Sequence, residues 1–376
     1  MTLRDCSLLA AYTHGMSAAR KTAPLLAVTV LAATAAWVLM ASAKAEPASA
    51  PGLPAYHISK TVPLGLPDRW DYVVYDRASH RVYVSHGDRV TVVDGRSGAL
   101  IGQVEGFAGG THGIAIVTAS GRGYTDDGRA GEAGSFDLAT LKVQQRIKAA
   151  PDADAVAFDP ASGHVFVVNG DPGTLTVIDP KADRAVASVE TGGKLEYAVA
   201  DGKGKLFVNG EEKKEIVRID TGTNQVDAHW PIPNCESPHG LAIDVANHRL
   251  FSSCVNKVLV VVNTESGVTV ATVPIGAGTD AAAFDAKRKL VLSSNGRDGT
   301  LSVIREQDPN TFAALGEVKT AVTARTMAID PDSGRIYLVA ADIDPNAAAA
   351  TAGTAAGPPR RPALVAGSTK LLFLDP

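Results

Sequence analysis

Seven ionisable residues recur at one position of a repeating pattern. Asp71, His112, Asp154, Glu196, His239, Asp280 and Arg325 each stand five residues ahead of Asp76, Val117, Asp159, Asp201, Asp244, Asp285 and Asp330 respectively. Imidazole nitrogen and carboxylate oxygen together suit Zn²⁺, Mn²⁺ or Ca²⁺. His112, His239, Asp154 and Glu196 are the candidate metal ligands, and Arg325 can hold an anionic group bidentately. A metal-bound water, or His112 or His239 as a general base, would serve a lactonase or lyase. The same residues also suit a hydrogen-bonded network that only rigidifies the fold. Network, ligand site and active site therefore all stand as readings of these seven positions.

A second group lies in the stretch NCESPHGLAIDVANHRLFSSC from Asn234 to Cys254, where His239 falls between Cys235 and Cys254. The compartment decides what two thiols are for. Arg20 and Lys21 precede the apolar run APLLAVTVLAATAAWVLMA, and Ala43-Lys44-Ala45 closes a small-residue stretch, the pattern of a cleavable signal peptide over 1–45. Met16, followed by SAARK, makes the better start, which removes Cys6 from consideration. Export to the periplasm follows, with residues 46–54 a short linker. In that oxidising space Cys235 and Cys254 are expected as a disulfide. A thiolate and imidazole metal site from Cys235, His239 and Cys254 is the rival, but it lacks a fourth ligand.

The elements that position these residues are legible in the repeat. The lines DAVAFDPASGHVFVVNGDPGTLTVID, EYAVADGKGKLFVNGEEKKEIVRID, HGLAIDVANHRLFSSCVNKVLVVVN and DAAAFDAKRKLVLSSNGRDGTLSVI each read strand, turn, strand, turn, strand. The residues closing the first strand are spaced by 41, 42, 42, 43, 41 and 45. Seven units of about 40 residues with several short strands each specify an all-β, seven-bladed propeller of four-stranded blades. In DPASGH (159–164) and DPDSGR (330–335), Asp bonds the backbone ahead, Pro presets φ and Gly permits the exit. The last unit stops at Pro376 before a fourth strand, while YHISKTVPLG (56–65) has no unit of its own. That strand is expected to complete the last blade, giving one domain over 55–376 with no exposed edge. The unit from Gly113 to Lys148 is degenerate, and its boundaries are the least defined.

On these motifs, together with LEYAVADGKGKLFVN (195–209), RTMAIDPDSGRIYL (325–338) and GPPRRPALVAG (357–367), the chain resembles the YncE-like periplasmic propellers of YVTN repeats. The resemblance extends over nearly the whole chain after the signal and implies the same fold and location. It implies no particular activity, since that family is named for its repeat.

In a propeller, the first strand of each blade lines the central channel, so the seven ionisable residues are expected at one channel mouth. A long Ala/Pro/Arg loop over about 342–368 leaves on the same face, where Arg360 and Arg361 can cover the mouth and complement its carboxylates. A formal charge of −4 and an aromatic content of 5% point to no nucleic-acid partner. There is no C-x-x-C-H, C-x-x-C, G-x-S-x-G or Walker loop, so no motif demands a cofactor, and a divalent metal is the one candidate. The expected protein is a monomeric, non-catalytic binding or scaffold propeller, with a small molecule, metal ion or periplasmic protein as partner and a lactonase-like hydrolase or lyase as the alternative. No membrane span is expected after signal cleavage.

Overall fold

The computed structural model describes residues 52–346 and 363–376. The signal expected at 1–45, most of the linker at 46–54, and Arg360 and Arg361 lie outside the described residues. Seven antiparallel sheets of four strands are present, six of them built from four strands in chain order. The seventh has the order His57–Pro63, Lys370–Asp375, Ile336–Ala340, Met327–Ile329, so a strand from far ahead in the chain forms its edge. Its register runs from His57 opposite Asp375 to Pro63 opposite Lys370. Joining both ends of the ring within one blade removes the edge that would otherwise invite a foreign strand. The protein is a seven-bladed β-propeller.

The turns form as the local chemistry dictates. Asp159 accepts the N–H groups of Ala161 and Ser162 at 3.2 and 2.9 Å, and Gly163 exits at φ 73°. Where the second blade has Val117 instead of Asp, a 3-10 turn over Thr118–Ser120 replaces that motif, with the Ser120 hydroxyl donating to the Val117 carbonyl at 3.1 Å. The blade nevertheless has its four strands, Ile114–Val117, Arg122–Asp127, Glu132–Asp137 and Val143–Lys148.

The core lies between blades. Phe166, Val168, Leu175 and Val177 of the third blade pack against Leu195, Ala198, Leu206 and Val208 of the fourth. Val73, Val82 and Val84 of the first pack against Tyr337, Val339, Leu371 and Phe373 of the seventh. Each blade buries both faces against its neighbours, so its middle strands are apolar nearly throughout. Among the described residues, no helix is long and apolar enough to cross a membrane.

Candidate functional site

All seven repeat residues meet. They line one cup of about 220 Å³ at the channel mouth, joined by Arg69, Lys194 and Glu211. Two devices aim them there. In blades three to six, the register of the first strand slips at the ring residue, between Ala153 and Ala155, Leu195 and Ala198, Pro238 and Leu241, and Thr279 and Ala281. Such bulges turn a side chain out of the regular alternation. Second-strand side chains then fix the ring backbone across the blade boundary. Ser85 donates to the His112 carbonyl at 2.5 Å, Asn209 to the His239 carbonyl at 2.8 Å, and Ser294 to the Arg325 carbonyl.

The ring groups itself by chain order. Asp71, His112 and Asp154 bring one ligand atom each within 4.8 Å of one another, and Glu196, His239 and Asp280 do the same. The four candidate ligands thus divide between two acid–His–acid triads, with Arg325 closing the circle. In the second triad, His239 Nδ1 lies 2.8 Å from Asp280 and 3.8 Å from Glu196. Arg325 Nε donates to the same Asp280 at 2.5 Å, and its Nη2 to the Trp70 carbonyl at 2.8 Å. In the first triad, His112 Nδ1 lies 2.7 Å from Asp126, whose other oxygen accepts the N–H groups of His112 and Gly113 at 3.0 and 2.6 Å. With both amides donating to that carboxylate, Nδ1–H donates as well, and Nε2 faces Arg69 Nη2 at 3.1 Å. Asp154 has no hydrogen-bond partner among the described residues, and its ion-pair contact with His112 is 4.0 Å. One residue beyond Asp71, Tyr72 crosses the channel, donating to Glu196 at 2.9 Å and packing on Tyr197 at 4.5 Å between ring centroids.

Charge is unevenly matched around this cup. Burial opposes protonation of His112, yet the Asp126 hydrogen bond and the surrounding carboxylates outweigh it and lift the imidazole to about 9. His239 is lifted to about 9 in the same way, against burial, by Asp280 and Glu196. Burial would raise Asp280, but Arg325 and His239 draw it down to about 2. Asp154 is pushed well above the carboxylate range by burial, then by the Glu196 and Asp71 charges. Glu196 rises to about 7 through burial, which His239 opposes and Asp280 reinforces. The Asp280 side is thus neutralised from within, while the Asp154 and Glu196 side is short of positive charge.

The two cysteines of blade five are placed at the same end. Cys235 and Cys254 are joined in a disulfide with Cα atoms 5.3 Å apart, which excludes the thiolate and imidazole metal site. The bond ties the connection entering blade five to the end of its second strand, four residues from His239 in sequence. Asp126, Arg69, Lys194 and Glu211 were not foreseen. Asp126 alone had a signal: it occupies, in a strand otherwise buried, the place that Ser85 and Ser294 hold in blades one and six.

Comparison with known proteins supports the architecture. No family model matches the chain, and no curated protein matches it in sequence. Among solved structures, it is similar to Kuenenia stuttgartiensis hydrazine synthase, with a TM-score of 0.62 at 12% identity over 71% of this chain and 91% of that one. It is also similar to a chain in the crystal structure of a mitotic checkpoint complex, with a TM-score of 0.66 at 12% identity over 84% and 93% of the two chains. At such identity the likeness concerns the fold alone.

Proposed function

We infer that this is an exported, non-catalytic binding propeller of the YncE-like YVTN-repeat type whose mouth holds a divalent cation. The leader-like segment and the repeat motifs support the location and the type. One observation carries the cation: the His112 ring, held through Nδ1 on buried Asp126, brings a nitrogen within 4.8 Å of carboxylate oxygens of Asp71 and Asp154. A carboxylate behind a ligating imidazole is the usual outer shell of a metal site, because it fixes the ring and strengthens the donor. Oxygen and imidazole donors of this kind fit Mn²⁺, Zn²⁺ or Ca²⁺. The second triad is the weaker candidate, since Arg325 already occupies Asp280.

Metal analysis by mass spectrometry of the purified protein tests this, beside a His112→Ala/Asp154→Asn variant. A stoichiometric divalent metal that the variant loses is expected. Absence of metal from both, even after dialysis against each of the three ions, would remove the reading. The pairing of His112 with Asp126 also points to a second reading, in which the imidazole, once it loses the proton that it holds up to about 9, acts as a general base in a lactonase or lyase. Lactone hydrolysis that disappears in His112→Ala is the result that would establish it.

A further inference from the structure

Beside the cup and on the same face lies a larger cavity of about 550 Å³, which shares His239, Asp280 and Arg325 with it. Its size lies within the roughly 300–1,000 Å³ of small-molecule sites. Its walls are apolar and come from segments far apart in the chain. Val255 follows the second strand of blade five, Val322 precedes the first strand of blade seven, and Ile343 and Leu364 face one another in an isolated bridge. Val255 and Val322 are 46% and 48% exposed, although most large aliphatic side chains here are buried. Trp70 completes the wall, with the Arg325 guanidinium over its ring at 5.6 Å.

The exposed valine is held out by a backbone that resists relaxation. Thr323, next to Val322, has φ 80°, a left-handed conformation unfavourable for a β-branched residue. Its N–H donates to the Gly296 carbonyl at 2.6 Å, its hydroxyl to the Ala341 carbonyl at 2.9 Å, and the hydroxyl oxygen accepts the Ala341 N–H at 2.9 Å. Backbone strain of this kind persists where the surroundings over-determine it, often beside a ligand.

Among the described residues of the lining, the charge left without a partner is positive. Arg297 lines the cavity, is exposed, and has no side-chain hydrogen bond or ion pair among the described residues. Among the described residues, the one carboxylate in the lining, Asp280, is already held by Arg325 and His239. An ammonium group would therefore find no free partner here, whereas a carboxylate would find Arg297 unoccupied.

We propose that this groove binds an amphipathic organic anion, an alkyl or aryl carboxylate whose body lies against Val255, Val322, Ile343, Leu364 and Trp70 and whose carboxylate pairs with Arg297. The site is separate from the cation reading of the cup and stands or falls without it. Titration of EDTA-treated protein with octanoate, octylammonium and octanol, read by calorimetry, tests the assignment. Saturable octanoate binding is expected, at least about tenfold tighter than octylammonium. Arg297→Gln should bring the two within about twofold without moving the melting temperature, and Val322→Asp should weaken octanoate about tenfold. Asp154→Asn should leave octanoate affinity unchanged, even if metal binding is lost. Octylammonium binding as tightly as octanoate, a preference that survives Arg297→Gln, or absence of saturable octanoate binding would each overturn the proposal.

Discussion

The two ends of the channel-lining strands carry the same residue type for different physical reasons. At the closing end, Asp76, Asp159, Asp201, Asp244, Asp285 and Asp330 each accept backbone N–H groups from the turn immediately ahead. Five residues earlier, Asp154, Glu196 and Asp280 have no such turn to serve, and they face the channel and one another. Asp159 is fully buried and further tied to the Thr221 hydroxyl at 2.7 Å, whereas Asp154 has no hydrogen-bond partner among the described residues. Acids at the closing end stabilise the chain's own backbone; those at the mouth are held apart from it. A repeated acid thus becomes informative about function where its own turn does not satisfy it.

Substitutions at the closing end should cost the most. Asp159→Ala strands two turn N–H donors and the buried Thr221 hydroxyl, and chemical denaturation should show a loss of about 2–4 kcal/mol. An unchanged midpoint would mean that the turn does not need its acid.

Glu306 sharpens the comparison, because it sits against a closing-end acid. Burial first, and then the Asp244 charge, lift it from 4.5 to about 7. A raised folded-state value contributes stability that is fully present below about 4.5 and is lost as pH rises through about 7. Melting should therefore occur at lower temperature at pH 8 than at pH 5.5, an effect on the order of 2 kcal/mol that Glu306→Gln flattens. A profile identical in the variant would assign the pH dependence elsewhere.

The smallest effect on stability belongs to the mouth. In the presence of EDTA, Asp154→Asn should be neutral or stabilise by up to about 1 kcal/mol, since it removes a carboxylate raised by burial and by like charges. A loss comparable with Asp159→Ala would show that the ring is a structural network after all.

Much of this contrast was legible in sequence. The spacing of the strand-closing residues defined seven blades, YHISKTVPLG as the closing strand, and seven ring positions that do converge on one cup. The disulfide followed from the compartment implied by the leader. What escaped depends on three-dimensional neighbours. Asp126 supports His112 from the opposite strand of its blade, and Arg69, Lys194 and Glu211 enter from segments outside the repeat position. The division into two triads arises because neighbouring blades share contacts that a linear pattern does not rank. The apolar groove has no sequence period at all, since Val255, Val322 and Leu364 come from unrelated connections.

The most direct test is calorimetric titration of EDTA-stripped protein with Mn²⁺, Zn²⁺ and Ca²⁺ near neutral pH, comparing the native chain with Asp154→Asn and Asp159→Ala. One saturable site in the native chain, retained in folded Asp159→Ala and weakened at least about tenfold in Asp154→Asn, is the expected result. Absence of saturable binding for all three ions, or equal binding in Asp154→Asn, would contradict a cation site at the mouth.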